Sequence, residues 1–184
     1  MKKTWLIVIG VIAAIILIAG IWLVSVNNSL IVATESISQN QAEIENQLKR
    51  RADLIPNLVN TVKGITKQEL DVVNSITSSR EKMLTGSTQD KLNANSQVTR
   101  GISLLVENYP EIKSNTNFTS LQDELAGTEN RIAVARKKYN DEVASFNKKR
   151  KVFPTSVVAS MFGHEEVKYL EVSETDKQNP KVEF

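Results

Sequence analysis

The chain has 184 residues, and its first 26 form an apolar segment, which leaves the length of one ordinary domain. Few aromatic residues, seven Gly and four Pro favour long helices, so we predict an all-α protein. All 21 acidic residues and all but two of the 23 basic residues lie beyond residue 26, so the remainder is formally neutral. This balance argues against a nucleic-acid-binding domain, and the absence of cysteine excludes a disulfide scaffold, a thiol nucleophile and a Cys zinc site.

The N-terminal segment is uncharged from Trp5 to Val26. At about 1.5 Å per residue, a helix of this length crosses a hydrocarbon layer of about 30 Å. Trp5 and Trp22 lie near its two ends, where indole rings prefer the membrane interface. A cleaved signal peptide is the alternative, but the segment is long and ends without a small-residue cleavage site. We therefore predict an uncleaved transmembrane anchor over residues 1–26.

The distribution of basic residues predicts the orientation of this anchor. Lys2 and Lys3 flank its N-terminal side, whereas the first basic residue on the other side is Lys49. Because lysine and arginine near a membrane-spanning segment remain in the cytoplasm, we expect a cytoplasmic N-terminus. The domain is then predicted to be extracytoplasmic.

The domain begins with a predicted helix over residues 27–51, in which Leu30, Ile37 and Ile44 recur every seven residues. Asp53 suits a helix N-cap and Pro56 suits the first turn of a new helix, so we predict a turn between two helices here. The alternative is one continuous helix with a kink at the proline.

Two further helices are predicted from apolar spacing. The second runs from Ile55 to about Leu84 and ends at Gly86. The third runs from about Gln89 to Asn108 and is followed by Tyr109-Pro110.

The fourth helix has the strongest pattern, because six apolar residues follow one another at seven-residue steps. These residues are Phe118, Leu125, Ile132, Tyr139, Phe146 and Phe153. A helix with such a stripe packs lengthwise against near-parallel neighbours. Together the patterns predict an antiparallel four-helix bundle over residues 27–163, followed by a tail over 164–184 that is partly extended or flexible.

No catalytic or metal site is predicted. His164 is the only histidine, and the acidic residues are scattered over helix faces. The Glu-x-x-His pairs of di-metal bundles and the Gly-rich loops that bind phosphates do not occur. We therefore expect no enzyme activity, no cofactor and no small-molecule substrate.

Two basic runs, residues 49–51 and 148–151, have two interpretations. Both lie near predicted helix C-termini, where cations are favoured by the helix dipole. If the four helices alternate in direction, however, Lys148, Lys149, Arg150 and Lys151 return to the bilayer, and the apolar residues around 157–162 follow them. A continuous helix through Pro56 is expected to place these residues at the far end of the bundle instead.

Two segments resemble the LemA family. The first is Gln47-Leu48-Lys49-Arg50-Arg51-Ala52-Asp53-Leu54-Ile55-Pro56-Asn57-Leu58-Val59, and the second is Asn130-Arg131-Ile132-Ala133-Val134-Ala135-Arg136-Lys137-Lys138-Tyr139-Asn140. The resemblance extends from the anchor to about Gly163. It implies a bacterial membrane-anchored antiparallel helical bundle without catalytic residues, and one member of the family takes part in forming magnetosome membranes.

By the same resemblance, nine positions are family signature residues: Arg50, Arg51, Asp53, Pro56, Asn57, Ala133, Arg136, Tyr139 and Asn140. The polar ones either stabilise the corner between the first two helices or form a docking surface. The function that we expect is a membrane-anchored scaffold or assembly protein of the cell envelope, with the membrane, further copies of itself or other envelope proteins as partners. The alternative is an accessory or sensor module that binds a peptide or small ligand.

Overall fold

A computed structural model of the chain describes residues 2–66 and 71–171, and every regular element in these ranges is helical. The elements are α1 (Lys2–Thr66), α2 (Asp71–Leu84), α3 (Thr88–Asn108), a 3₁₀ helix (Pro110–Ser114), α4 (Thr116–Lys151) and α5 (Thr155–Met161). The predicted all-α class is confirmed.

The predicted turn at Asp53 is wrong, because α1 continues without a break through Pro56. Proline has no N–H, so the carbonyl of Ala52, four residues earlier, receives no hydrogen bond within the helix. Nε of Arg80 in α2 donates to this carbonyl at 2.8 Å instead. A side chain of another helix thus satisfies the group that the proline leaves free, and Asp53 is exposed in mid-helix.

The predicted second helix, residues 55–84, corresponds to two elements. Its first part belongs to α1, which ends at Thr66, and its second part is α2, which begins at Asp71. Residues 67–70 lie outside the described ranges. The predicted end of this helix is confirmed, because Gly86 follows α2 with a φ of 87°.

Within α1, the apolar N-terminal segment is long and apolar enough to cross a membrane, and none of its side chains is buried in the protein. The chain divides into two compact units. Unit 1 comprises the described residues up to Gln39 and Asp141–Lys168, and unit 2 comprises Asn40–Asn140 and the described residues from Tyr169 onwards. The domain boundaries at residues 26 and 163 remain predictions.

Unit 1 contains the described part of α1 up to Gln39, the last turns of α4 and α5. Its core consists of Leu30, Ile37, Val143, Phe146, Val158 and Ala159, which are all buried. The first two belong to the seven-residue repeat that predicted the first helix. Unit 1 therefore buries the same stripe of α1 that the sequence identified.

Unit 2 contains the rest of α1 and α4 with α2 and α3 packed together. The hydroxyl of Ser79 donates to Oε1 of Gln97 at 3.2 Å, and a Cβ added at Gly101 would meet Cγ1 of Ile76 at 2.6 Å. Only a glycine therefore permits this close approach of α3 to α2. Ser87 caps α3 in a reciprocal capping box with Asp90.

The seven-residue repeat of α4 is buried at five of its six positions, from Phe118 to Phe146. The sixth position was predicted incorrectly, because Phe153 is 78% exposed. Since α4 ends at Lys151, Phe153 lies in the turn before α5 and no longer follows the helical repeat. Asn115 caps the N-terminus of α4, because its Oδ1 accepts hydrogen bonds from the backbone N–H groups of Asn117 and Phe118.

Candidate functional site

A buried polar network surrounds Arg51 in unit 2. Its guanidinium is 3% exposed, forms an ion pair with Glu129 of α4 and donates to Oγ1 of Thr99 in α3 at 2.9 Å. Nδ2 of Asn95 donates to the same Glu129 carboxylate at 2.8 Å, and the Thr99 hydroxyl donates to the Asn95 carbonyl. The network links three helices through one charged side chain.

The charge on Arg51 has an energetic cost that its partners offset. Burial lowers the pKa of the guanidinium to about 10 by desolvating the charged form. The side chain is still protonated near neutral pH, so it requires Glu129 as counter-ion. Among the described residues, Nε of Arg51 and Oδ1 of Asn95 have no hydrogen-bond partner. An open cavity of about 240 Å³ adjoins the network.

A second polar group lies at the N-terminal end of α3. Thr88 accepts a hydrogen bond from Gln41 at 2.9 Å and donates to Glu45 at 2.8 Å, while Lys91 pairs with Glu45 at 3.2 Å. The Thr88 hydrogen bond, with Lys91 as a smaller cause, lowers the pKa of Glu45 below 4.5. This group fastens the start of α3 to α1.

The signature residues do not form one surface. Arg51 and Tyr139 are buried, and burial raises the pKa of the Tyr139 hydroxyl. Pro56, Arg136 and Asn140 are half-buried, whereas Arg50, Asp53, Asn57 and Ala133 are exposed. Since α1 has no corner at Asp53, the first signature segment occupies successive faces of one helix.

The sequence profile of the LemA family matches residues 40–184. The chain belongs to the LemA family. No curated protein matches the sequence. In this LemA chain, the matched region contains both polar groups described above.

Asn140, one of the predicted signature residues, holds part of the segment that follows α5. Nδ2 of Asn140 donates to the Leu170 carbonyl at 2.9 Å, and its Oδ1 accepts from the Leu170 N–H at 2.9 Å. In unit 2, Gln89 makes the same two-way contact with Glu171, at 3.2 and 2.8 Å. Leu170 is buried. These amides bind the peptide backbone and not the side chains of the segment.

Unit 1 uses the same device one heptad further along α4. Nδ2 of Asn147 donates to the Val167 carbonyl at 2.8 Å, and Oδ1 accepts from the Val167 N–H at 3.1 Å. This role of Asn140 and Asn147 was not predicted from the sequence. The two asparagines lie one heptad apart on α4, and this spacing could have indicated a shared contact. We call residues 164–171 the clamped segment.

The basic residues at the end of α4 lie beside the start of the domain in α1. Lys149 donates to the hydroxyl of Ser29, and Lys151 pairs with Glu166 at 2.7 Å. Arg150 pairs with the same carboxylate at 3.4 Å, and Lys148 is exposed. Lys151, with a smaller effect of Arg150, lowers the pKa of Glu166.

The expectation for a continuous α1 is thereby corrected. A helix through Pro56 was expected to move residues 148–151 away from the anchor, yet Lys149 contacts Ser29, three residues after Val26. α1 extends past Asp53 to Thr66, and the next described helix, α2, begins at Asp71.

His164 has a structural contact in the described part of the chain. Its Nε2 lies 2.9 Å from Oδ1 of Asn27 in α1. In the described ranges, no three His, Cys, Asp or Glu residues form a group that could hold a metal ion. The arrangement supports polar packing between helices, and the expectation of no enzyme activity or cofactor remains a prediction.

Proposed function

We propose that this LemA-family chain is a single-pass membrane-anchored scaffold or assembly protein of the bacterial cell envelope. The observation behind the proposal is that α1 runs uninterrupted from an apolar segment into a helical domain whose polar groups pair internally. Such a domain offers helix surfaces to partners, and its described residues bring together no catalytic group. In this proposal the chain is not an enzyme, and it requires no cofactor and no nucleic acid.

The proposal includes an antiparallel four-helix arrangement in unit 2. Arg80 of α2 contacts Ala52, which supports a return of the chain along α1 after Thr66. Thr88 contacts Gln41 and Thr99 contacts Arg51, which supports an α3 that runs parallel to α1. Two observations support an α4 that is antiparallel to α1. Arg51 pairs with Glu129, and Asn40 and Lys138 line the same cavity.

We propose that copies or envelope partners meet through exposed apolar positions on these helices, such as Leu104 of α3. The test is the mass of the full chain in mild detergent, measured by light scattering after gel filtration. A scaffold that assembles with itself is expected to elute as an oligomer without added ligand, and Leu104→Glu should reduce its mass. Ser120→Glu, on an exposed polar position of α4, is the control.

A monomer in mild detergent that also yields no protein crosslinks in intact cells would contradict the scaffold role. Orientation is tested separately by a reporter fused after Phe184. Because Lys2 and Lys3 are expected to remain inside, the reporter should be extracytoplasmic. A domain that resists protease added to spheroplasts would contradict this orientation.

The clamped segment favours a second candidate function, a module that binds an extended peptide. Asn140, Asn147 and Gln89 contact main-chain groups, and such contacts accept many sequences. The test mixes one copy with Lys151→Cys and another with Glu166→Cys, followed by a short thiol crosslinker. The chain has no native cysteine, so crosslinked heterodimers would indicate that one copy holds another copy's segment. Uncrosslinked monomers would indicate that the segment only closes its own unit.

A further inference from the structure

The junction of α4 and α5 exposes a cluster of large apolar side chains. Phe153 is 78% exposed, Val157 56%, Met161 60% and Phe162 50%. Val157 and Met161 are four residues apart in α5 and therefore share a helix face. The other side of α5 is used for packing, because Val158 and Ala159 are both buried. The four exposed residues, two in α5 and one on each side of it, therefore form an outward apolar surface, and the buried residues of α5 hold this helix in place.

This apolar face lies next to the end of the membrane-spanning segment. Lys149, at the end of α4, contacts Ser29 of α1, and His164, shortly after α5, contacts Asn27 at 2.9 Å. Both α1 residues follow the apolar segment within three positions of Val26. All of these residues belong to unit 1. α5 is therefore attached from both of its ends to the part of α1 that leaves the bilayer.

α1 itself exposes apolar side chains beyond the predicted anchor. Ile31 is 51% exposed and Val32 is 65% exposed, although both lie after the polar residues at 27–29. Contiguous exposed apolar patches on a small domain mark contacts with proteins or membranes. Two elements of unit 1 thus expose apolar surface close to the membrane-spanning segment.

The charge beside this surface fits lipid headgroups. Residues 148–168 contain five basic and two acidic residues, a net charge of +3 with His164 neutral. Glu166 is paired with Arg150 and Lys151, whereas Lys148 is exposed. Asp141 and Glu142, the preceding acids of α4, lie about 10 Å further from this end at about 1.5 Å per residue. Basic side chains around an apolar helix face are typical of interfacial membrane contacts.

We propose that the face formed by Phe153, Val157, Met161 and Phe162 is a second membrane contact, which inserts among the headgroups of an anionic bilayer. The proposal rests on the membrane anchoring that the proposed function contains, and it is independent of the oligomeric state. The anchor fixes unit 1 at the bilayer, and the second contact fixes the tilt and rotation of unit 1 on it.

The test uses the full chain in vesicles of phosphatidylcholine and phosphatidylglycerol. Because no native cysteine is present, Met161→Cys supplies one attachment point for an environment-sensitive fluorophore. Val134→Cys is the matched control, since Val134 is 56% exposed on α4 but belongs to unit 2. Val24→Cys, in the apolar segment, reports full insertion. Nitroxide-labelled lipids in the vesicles quench only fluorophores that touch the bilayer.

We expect lipid quenching at position 161 to be several-fold stronger than at position 134 and weaker than at position 24. Replacing phosphatidylglycerol with phosphatidylcholine, or adding high salt, should reduce the quenching at 161 and leave that at 24 unchanged. Changing Lys148 and Lys149 together to Gln should have the same effect as removing the anionic lipid.

Three outcomes would overturn the proposal. Absence of lipid quenching at 161 with full access to aqueous iodide would mean that the face is solvated. Protection from both quenchers would mean that protein covers it, in which case a second copy is the occupant. Equal lipid quenching at 161 and 134 would mean that the whole domain lies on the bilayer without a specific contact. None of these outcomes changes the detergent mass that tests the scaffold role.

Discussion

Arg80 of α2 donates a hydrogen bond to the carbonyl of Ala52, which Pro56 leaves without a donor inside α1. This contact explains how a 65-residue helix continues past a proline. The carbonyl is satisfied from outside, and the donor also connects α2 to α1.

The first prediction tests this relationship with a double-mutant cycle. Arg80→Met should destabilise the protein by about 1–3 kcal/mol, because it leaves a partly buried carbonyl unsatisfied. In a Pro56→Ala background, residue 56 supplies an N–H for the Ala52 carbonyl. Arg80→Met should therefore cost less in this background than in the original chain, by about 1 kcal/mol or more. Urea unfolding monitored by circular dichroism measures both costs. Equal costs in the two backgrounds would show that the Arg80 contact does not replace the missing helix bond.

The second prediction concerns the pair of Arg51 and Glu129. Glu129→Gln leaves a buried guanidinium without its counter-ion and should destabilise the protein by about 1–3 kcal/mol. This cost is smaller than for a fully buried ion pair because Glu129 is 39% exposed. Glu124→Gln, on an exposed position of α4, should have little effect. Adding Arg51→Met to Glu129→Gln should recover part of the loss, since the unpaired charge is removed. A further loss in this double variant would argue that Arg51 stabilises mainly through Thr99.

The third prediction compares two helical glycines. Gly101→Ala should lower stability by about 1–3 kcal/mol, because the new Cβ would lie 2.6 Å from Ile76 Cγ1. Gly127→Ala in α4 meets no atom within 4 Å and should raise stability by up to about 1 kcal/mol through helix propensity. Thermal melting of the two variants gives the comparison. Shifts of the same sign would show that α2 and α3 adjust to the added carbon.

The fourth prediction concerns the clamped segment. Asn147→Asp removes the amide donor to the Val167 carbonyl and brings a carboxylate toward it. Hydrogen exchange of the Val167 amide should accelerate by about tenfold, which corresponds to about 1.4 kcal/mol of lost protection. Asn60→Asp, on an exposed position of α1, is the control. Unchanged exchange at Val167 would mean that other contacts hold the segment.

The fifth prediction is a pH dependence at Glu45. Its pKa is lower in the folded chain than the ordinary value of 4.5, so its contribution to stability is full above pH 4.5 and is lost as the pH falls through the folded pKa. Near neutral pH, Glu45→Gln should cost up to about 1 kcal/mol, because the pair with Lys91 is partly exposed. At acid pH the cost should disappear. If Glu45→Gln lowered stability equally at every pH, the effect would come from packing and not from the charge. Glu81→Gln, at an exposed position of α2, is the control.

The sequence predicted the helical class and most of the buried stripes because these depend on local periodicity. Ile44, Leu48 and the α4 residues from Phe118 to Phe146 are buried as their spacing indicates. The end of the stripe was missed because Phe153 keeps the seven-residue interval after the helix has already stopped at Lys151.

The break near Pro56 was predicted incorrectly for a different reason. A proline, a cap residue and a basic run describe a helix boundary locally, but Arg80 lies 28 residues from Ala52 in the chain. Similarly, Arg51 and Asn140 were identified as family signature residues, but their partners Glu129 and Leu170 were not. Those partners depend on how α1, α3, α4 and the clamped segment meet, which local patterns do not contain.

The clamped segment has an evolutionary consequence. Because Asn140, Asn147 and Gln89 bind its main-chain groups, its exposed side chains at Glu165 and Tyr169 can be substituted without loosening it. A survey of homologues should then find the three amide positions retained and the intervening positions of the segment variable. The segment would thus be free to acquire new surface chemistry in different lineages while its path along the protein stays fixed.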